Sequence, residues 1–207
     1  MILPQSPIRS FTRHDLPGGN RVFTGRLPRS LQPSGERFET IWAMRPVEPQ
    51  KIRMRHRWIE IPRRQKAYGR DYQFSGQVSK AASIPDQLEA YLEWARSAID
   101  SAFDGLLLNW YDGSLGHYIG PHHDDTRQLV PGSPIATISL GEQRIFRFTR
   151  QVKHGGKQSA VDRQDFVADS GSVIVMPWET NRTWKHSVPR FARYQGRRIS
   201  ITFRAFK

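Results

Sequence analysis

The chain has 207 residues, enough for one domain of ordinary size, and it contains no cysteine. Disulfides, thiolate metal sites and cysteine nucleophiles are therefore excluded, and a metal ion would have to be held by His, Asp or Glu. An excess of 32 Lys and Arg over 19 Asp and Glu gives a net charge of +13, which favours nucleic acid as the partner before an anionic membrane.

The N-terminal segment lacks the apolar stretch of a signal peptide, and no apolar run in the chain approaches membrane-spanning length. We therefore expect a soluble intracellular protein, in the cytoplasm or the nucleus, with no membrane partner. Residues 1–35 are rich in Pro, Gly and Arg and predict an irregular arm with turns. A short helix is predicted over residues 35–44, where Phe38, Ile41 and Trp42 recur at helical spacing.

Residues 51–58 alternate cationic side chains with bulkier, less polar ones. If they form one strand, Lys51, Arg53, Arg55 and Arg57 share one of its faces. Such a row is compatible with an edge strand, because positive charge discourages pairing with the edge of another chain. It is equally compatible with a row of contacts to the phosphates of a nucleic acid.

A longer helix is predicted over residues 86–103, where an apolar stripe at helical spacing indicates a side that packs on the core. From residue 106 onward, short apolar segments alternate with Gly, Pro and Asp. These segments are 106–111, 135–141, 144–148, 172–176 and 197–206. Short, closely spaced strands predict a sandwich or jelly roll, so we expect a mainly β protein with flanking helices.

The sequence His122-His123-Asp124-Asp125 contains two overlapping His-x-Asp pairs. Residues two apart on a strand share a face, so either pair could present an imidazole and a carboxylate to one ion. The facial triad of non-haem iron sites needs a third ligand and leaves positions open for cosubstrate and oxygen. The candidate for that ligand is His186, on or just after a strand region.

The C-terminal strand carries different side chains on its two faces. Its packed face is formed by Ile199, Ile201 and Phe203. Its opposite face carries two hydroxyls and two guanidinium groups, those of Ser200, Thr202, Arg198 and Arg204. A guanidinium fork binds both oxygens of a carboxylate. The two arginine backbones lie ~20 Å apart on a strand, so their side chains could lean inward and close on a small dicarboxylate.

The order and spacing of these motifs resemble the AlkB family of iron(II)- and 2-oxoglutarate-dependent dioxygenases. The motifs are Asn109-x-Tyr111, His122-x-Asp124, Pro134-Ile135 with Ser139-Leu140-Gly141, Gly171-Ser172, His186 and Arg198-x-Ser200-x-Thr202-Phe203-Arg204. Upstream, PRRQKAYGRDYQFSG at 62–76 resembles the nucleotide-recognition segment of the human family member that repairs double-stranded DNA. The resemblance covers about residues 58–205.

The resemblance implies a double-stranded β-helix in which His122, Asp124 and His186 ligate iron(II). It further implies that 2-oxoglutarate is held by two arginines with help from two strand residues. These four are Arg198, Arg204, Asn109 and Tyr111. In this chemistry O2 decarboxylates 2-oxoglutarate to succinate, an iron-oxo species hydroxylates an N-alkyl group on a base, and the product collapses to the free base and an aldehyde.

A base inside a duplex cannot reach such a pocket, so it must be flipped out or single-stranded. Phe74 matches the family position that stacks on the flipped base, whose other face is covered by His122. The substrate contacts expected from the resemblance and from the cationic row are Tyr72, Phe74, Ser75, Arg53, Arg55 and Thr126.

Three departures from the family pattern are present. Ser200 stands where Asn is usual, and the segment from Asn109 to His122 is one residue longer than in the duplex-repairing member. Thr126 stands where an acidic residue commonly contacts the base, which leaves the favoured lesion open.

The aromatic finger of the duplex-repairing member falls on Arg55, or on Met54 with a one-residue slip, and neither is an aromatic wedge. We therefore expect single-stranded substrate to be preferred.

Residues 1–50 are expected to form an N-terminal arm and short helix packed on the core. Residues 51–207 are expected to form the AlkB-like catalytic domain, with the nucleotide-recognition segment at about 51–76. The predicted function is oxidative dealkylation of bases in nucleic acid, of the DNA-repair type, by a monomer acting on DNA. The alternatives are a 2-oxoglutarate hydroxylase of RNA or protein, or an inactive module that binds nucleic acid.

Overall fold

The computed structural model describes residues 11–54, 56–74, 76–154 and 157–207. Short strands dominate these ranges, as the sequence predicts. The strands are β1 (Thr12–Leu16), β2 (Asn20–Arg26), β3 (Lys51–Met54), β4 (Arg57–Glu60), β5 (Arg64–Tyr68), β6 (Tyr72–Phe74), β7 (Gln77–Ser79), β8 (Gly105–Asp112), β9 (Ile119–His122), β10 (Ile135–Gly141), β11 (Arg144–His154), β12 (Lys157–Ala168), β13 (Ser172–Met176), β14 (Trp184–Val188) and β15 (Arg197–Arg204). The helices are α1 (Gly35–Ala43), α2 (Asp86–Ala98) and α3 (Trp178–Thr183).

Two antiparallel sheets form the body of the fold. The major sheet has seven strands in the order β1-β2-β13-β10-β15-β8-β5, and the minor sheet has four in the order β12-β11-β14-β9. Two hairpins, β3-β4 and β6-β7, stand apart from both sheets. Most neighbouring strands, such as β2 and β13 or β15 and β8, are far apart in sequence, as in a jelly roll. The predicted mainly β fold with flanking helices is confirmed.

The helices α1 and α2 pack on the outer face of the major sheet. The α2 helix buries its predicted apolar stripe there, including Leu88 and Tyr91. It ends at Ala98 rather than at 103, because the backbone leaves the helical conformation at Ile99. The α1 helix begins after Ser34, whose side chain accepts a hydrogen bond from the main chain of the first turn. No helix in the described ranges has the length and apolar character needed to cross a membrane.

The prediction of an irregular arm over residues 1–35 is wrong for the part that the structure describes. β1 and β2 form a hairpin across the turn at 17–19, and β2 pairs with β13 as a strand of the major sheet. The turn residues were recognisable, but the flanking strands carry charged and polar side chains that hide their period. Val22 is nevertheless fully buried, between Arg21 and Phe23.

The prediction of one strand over 51–58 is also wrong. The segment folds back on itself, so that β3 pairs with β4 in the register Lys51↔Glu60, Arg53↔Trp58 and Met54↔Arg57. Lys51 and Arg53 share a face, but Arg57 lies on the other one. The turn contains His56 at φ 70°, a left-handed conformation that a non-glycine residue rarely adopts. Arg55 lies outside the described residues.

The interior between the two sheets has an apolar and a polar part. Phe148 and Trp184 of the minor sheet pack against Ile174 and neighbouring residues of the major sheet. Beyond this apolar cluster the sheets separate and enclose a cavity of about 430 Å³. The apolar cluster thus fixes the spacing of the sheets, and polar side chains line the opening.

Candidate functional site

The inner face of β15 forms the floor of the cavity. Its two predicted faces are confirmed, since Ile199, Ile201 and Phe203 pack in the core beneath the helices. The register of the sheet places polar residues of β8 and β10 beside those of β15, with Tyr111 opposite Arg198 and Thr137 opposite Thr202. The polar residues of this floor are Asn109, Tyr111, Thr137, Arg198, Ser200, Thr202 and Arg204.

A cluster of possible metal ligands lies where the minor sheet faces this floor. One ligand atom from each of His122, Asp124 and His186 lies within 4.8 Å of the others. Strand pairing places His122 on β9 opposite His186 on β14, with ring centroids 4.2 Å apart. Nε2 of His122 lies 3.7 Å, and Nε2 of His186 3.8 Å, from Oδ1 of Asp124. Two imidazoles and one carboxylate make up the facial-triad donor set.

Burial keeps the two imidazoles in the protonation state that a metal ion requires. It lowers the pKa of His186 to about 3 and also lowers the pKa of His122, so both rings are neutral near pH 7. Burial alone would raise the pKa of Asp124, but Arg204 and the two imidazoles hold it below its ordinary value. Nδ1 of His122 donates to the carbonyl of Gly120 at 2.9 Å, which leaves Nε2 with its lone pair.

The other His-x-Asp pair points away from the cluster. Nδ1 of His123 lies 2.5 Å from the main-chain oxygen of Asn181 in α3. Asp125 pairs with Arg127 and accepts hydrogen bonds from its main-chain N–H, its Nε and its Nη2. Of the two pairs left open by spacing alone, the structure therefore gathers only His122 and Asp124 with His186.

Asp124 is also tied to the floor of the cavity. Arg204 donates to its Oδ2 from Nε at 3.0 Å and from Nη2 at 2.6 Å, and Tyr72 donates to its Oδ1 at 3.1 Å. All three side chains are buried. The guanidinium of Arg204 also lies over the Tyr72 ring, 4.6 Å from its centroid. The Tyr72 hydroxyl is thus engaged by Asp124 while its ring lines the cavity, and its expected contact with a substrate stays a prediction.

Arg198 is fully buried and lacks a charged partner among the described residues. Its Nη2 donates to the hydroxyl of Ser139 at 2.9 Å, and its guanidinium lies 5.2 Å from the centroid of the Tyr111 ring. Its Nε and Nη1 have no hydrogen-bond partner in the described chain. Burial lowers its pKa to about 10. A buried guanidinium with two free donors at a cavity is a receptor for an anion.

Sequence reasoning missed two further polar residues of the cavity. Arg63 is 7% exposed and donates to Oδ1 of Asn109 at 2.8 Å and to Oε1 of Gln65 at 2.9 Å. The spacing of Arg63 and Gln65 is the period of a strand, and Gln65 pairs with Asn109 across β5 and β8. This spacing predicts that Arg63 and Gln65 share one face of a strand. Only the pairing of β5 with β8 shows that this face borders the cavity.

The expected substrate contacts are only partly brought together. Phe74 lines the cavity and stacks on Tyr72, with centroids 6.1 Å apart. Arg53 is exposed on the β3-β4 hairpin, whose Ile52 lines the cavity from the other face. Thr126 is half-buried and is not among the described residues that line the cavity. Ser75 and Arg55 lie outside the described residues.

Comparisons with known proteins agree with this geometry. Residues 24–204 match the family model described as the 2OG-Fe(II) oxygenase superfamily. The chain is similar to the DNA oxidative demethylase ALKBH2 of Mus musculus, with 33% identity over 158 residues that cover 74% of this chain and 66% of the relative. The human ALKBH2 is 33% identical over 160 residues, which cover 74% of this chain and 60% of the relative. The chain thus spans less than two thirds of these curated relatives.

A more distant relative and a solved structure extend the likeness. The human alpha-ketoglutarate-dependent dioxygenase alkB homolog 3 is 29% identical over 104 residues, covering 49% of this chain and 36% of the relative. The solved structure of OsALKBH1 superposes with a TM-score of 0.56 over 93% of this chain and 99% of that one. At 18% identity, this match speaks for a common fold.

Proposed function

Because this chain belongs to the AlkB family within the 2OG-Fe(II) oxygenase superfamily, we propose that it oxidatively dealkylates bases of nucleic acid. The cofactors of the superfamily are Fe(II) and the cosubstrates 2-oxoglutarate and O2. The relatives named as DNA oxidative demethylases support DNA as the substrate. The net charge of +13 supports a polyanionic partner and with it an intracellular place of action.

In this proposal, His122, Asp124 and His186 hold the iron. The donor set supports the assignment, because two neutral imidazoles and one ionised carboxylate converge within 4.8 Å and border the cavity. Iron in such a site retains open positions for cosubstrate and oxygen. His123 and Asp125 are engaged elsewhere and take no part.

The proposal of 2-oxoglutarate as cosubstrate rests on one observation, the buried guanidinium of Arg198. A buried cation with two unpartnered donors is stabilised when a carboxylate enters beside it. Arg204 lies six residues further along the same strand and borders both the cavity and the metal ligands. We assign one carboxylate of the cosubstrate to each arginine, with Asn109 and Tyr111 lining the space between them.

Iron bound there would let O2 act as the oxidant, so that 2-oxoglutarate leaves as succinate and CO2 and the alkyl group gains a hydroxyl. The chain's own residues position the reactants. Arg198 and Arg204 fix the cosubstrate, Tyr72 and Arg204 orient the carboxylate of Asp124, and Phe74 borders the space that a flipped base would enter. Burial of this floor excludes bulk water from the reacting groups.

We further propose that single-stranded DNA is preferred over duplex. An enzyme that opens a duplex offsets unstacking with an inserted apolar side chain. Arg55, or Met54 with a one-residue slip, occupies the position of that wedge in the sequence, and neither is aromatic. An uncompensated unstacking cost of about 1.4 kcal/mol would make the reaction on the single strand tenfold faster than on the duplex. The test is the demethylation rate of one modified base in a strand and in its duplex at equal salt, and a faster reaction on the duplex would refute the preference.

The test of the proposed function is a panel of oligonucleotides with different N-alkylated bases, incubated with Fe(II), 2-oxoglutarate and ascorbate and read by mass spectrometry. We expect loss of the alkyl mass from at least one DNA substrate and succinate formation that depends on substrate. The matched controls are His122→Ala, Asp124→Ala and His186→Ala, each inactive.

Other outcomes would replace the proposal. Turnover on methylated RNA or on a protein side chain, with none on DNA, would indicate a hydroxylase with another substrate. Nucleic-acid binding without succinate formation would indicate an inactive binding module.

A further inference from the structure

The short helix α3 holds the loop that carries the acidic member of the proposed metal site. Asn181 in this helix is 1% exposed. Its Oδ1 accepts a hydrogen bond from the main-chain N–H of Asp124 at 2.9 Å, and its Nδ2 donates to the main-chain carbonyl of Asp124 at 3.1 Å. The two bonds close a ring between one side chain and both polar main-chain groups of one residue.

Asp124 needs this support because it lies beyond the sheet. β9 ends at His122, which still pairs with His186 on β14. The two imidazoles are therefore fixed by strand pairing, whereas the carboxylate sits on a loop. In the described chain, Asn181 supplies the partners that a neighbouring strand would otherwise give to the main chain of Asp124.

The amide can occupy this place in one orientation only. A main-chain N–H can only donate and a carbonyl oxygen can only accept, so Oδ1 must face the former and Nδ2 the latter. An alkyl side chain of the same size would leave two buried main-chain groups unsatisfied, and Asp124 is only 4% exposed. The main-chain oxygen of Asn181 also accepts from Nδ1 of His123 at 2.5 Å, so position 181 holds two consecutive loop residues.

We propose that Asn181 is a positioning residue of the metal site: its side chain fixes the main chain of Asp124 and thereby sets the affinity for the metal ion. The inference rests on the proposed function, because it takes Asp124 as a metal ligand. A preformed ligand geometry lowers the cost of ordering the site when the ion binds. Groups that orient metal ligands typically contribute about 10–100-fold to metal affinity.

The rival explanation is that Asn181 merely anchors α3 to the fold. Its neighbour Thr180 provides a matched control for that role. Thr180 is also 1% exposed, and its hydroxyl donates to the carbonyl of Arg21 at 2.7 Å and accepts from the N–H of Arg21 at 3.4 Å. It thus makes the same pair of side-chain to main-chain bonds, but to β2 rather than to the metal loop.

The experiment measures binding of Mn²⁺ alone to the full metal-free chain, by calorimetry well below the Tm of every variant. We expect Asn181→Ala and Asn181→Leu to weaken Mn²⁺ binding by about 10–100-fold. Thr180→Val should lower Tm by a similar amount and leave Mn²⁺ affinity unchanged. Hydrogen exchange of the metal-free chain should speed up over residues 119–126 in the Asn181 variants and stay at the wild-type rate in Thr180→Val.

Two results would overturn the inference alone. One is wild-type Mn²⁺ affinity in a folded Asn181→Ala, and the other is an equal loss of affinity in Thr180→Val. If Asn181→Ala does not fold, the milder Asn181→Ser carries the same comparison. A wild-type chain that does not bind Mn²⁺ would overturn the metal assignment and the inference together. A chain whose Mn²⁺ affinity depends on Asn181 but that dealkylates no base would refute only the proposed function.

Discussion

Replacing Arg198 by methionine should move stability and cosubstrate binding in opposite directions. The guanidinium is fully buried, and among the described residues it finds one hydroxyl and one aromatic face but no carboxylate. Methionine has a similar length, no charge, and enough flexibility to fill the space. The variant therefore removes an uncompensated charge from the ligand-free fold and also removes a proposed anchor of 2-oxoglutarate.

The magnitude follows from the cost of burying that charge. Burial lowers the pKa of Arg198 from its ordinary value to about 10, which corresponds to about 3 kcal/mol against the charged form in the folded chain. Recovering part of it, about 1–3 kcal/mol, would raise Tm by roughly 2–10 °C for a chain of this size. Losing a buried charged contact to 2-oxoglutarate should cost about 2–5 kcal/mol of binding.

Thermal unfolding with and without 2-oxoglutarate and Mn²⁺ measures both effects. The Tm of the wild type should rise when 2-oxoglutarate and Mn²⁺ are added. The Tm of ligand-free Arg198→Met should be higher than that of the wild type and should rise little on addition. Arg144→Met is the control, because Arg144 is 3% exposed but its charge is paired with Glu142 at 2.8 Å. That variant should lose stability and keep the ligand-induced shift.

The reasoning about Arg198 would be refuted by a ligand-free Arg198→Met that is less stable than the wild type yet keeps the full shift with 2-oxoglutarate. Such a result would mean that the guanidinium stabilises the fold and that the cosubstrate binds elsewhere.

Four further results are expected. His123→Ala should retain substantial turnover and His186→Ala none, in an assay of succinate formation, and the reverse would mean that the wrong His-x-Asp pair was chosen. Arg204→Lys should raise the KM for 2-oxoglutarate by tens-fold or more, because a lysine cannot keep both bonds to Asp124 and also bind a carboxylate. The expected cost is about 2–5 kcal/mol, and an unchanged KM would contradict this. If Arg53 and Arg57 both contact phosphates, Arg53→Ala and Arg57→Ala should each lower the slope of log affinity for an oligonucleotide against log salt by about one. An affinity that does not depend on salt would mean that both are solvated residues of an edge strand. The unfolding free energy of the metal-free chain, measured by urea titration, should fall as the pH is lowered from 6.5 toward 3. The buried His186, with its pKa near 3, stays neutral in the folded chain, whereas the unfolded chain takes up the proton. An unfolding free energy that does not change with pH would contradict the burial of this ring.

The features that could be predicted from the sequence are those that repeat within one strand or one helix. The two faces of β15 follow from the alternation of Ile199, Ser200 and their neighbours, and the burial of Leu88 and Tyr91 follows from helical spacing. The His-x-Asp spacing narrowed the metal ligands to two pairs, and the family resemblance chose between them.

The features that escaped prediction depend on which segments meet in space. Asn181 reaches Asp124 across 57 positions of sequence, and Arg63 reaches Asn109 across 46. A local period such as that of Arg63 and Gln65 does not show which distant segment a residue meets. The turn between β3 and β4 escaped for another reason, because His56 adopts φ 70° in a segment without glycine or asparagine to signal it.

The hairpin of β1 and β2 has a practical consequence for anyone who shortens the chain. β2 covers the edge of β13, whose Val173, Ile174 and Val175 pair with it strand to strand. Expression from residue 51 onward would uncover this edge, which is apolar and carries no charge over five residues. A bare, flat, apolar edge recruits the edges of other copies, so the shortened protein should aggregate even if its cavity could still form.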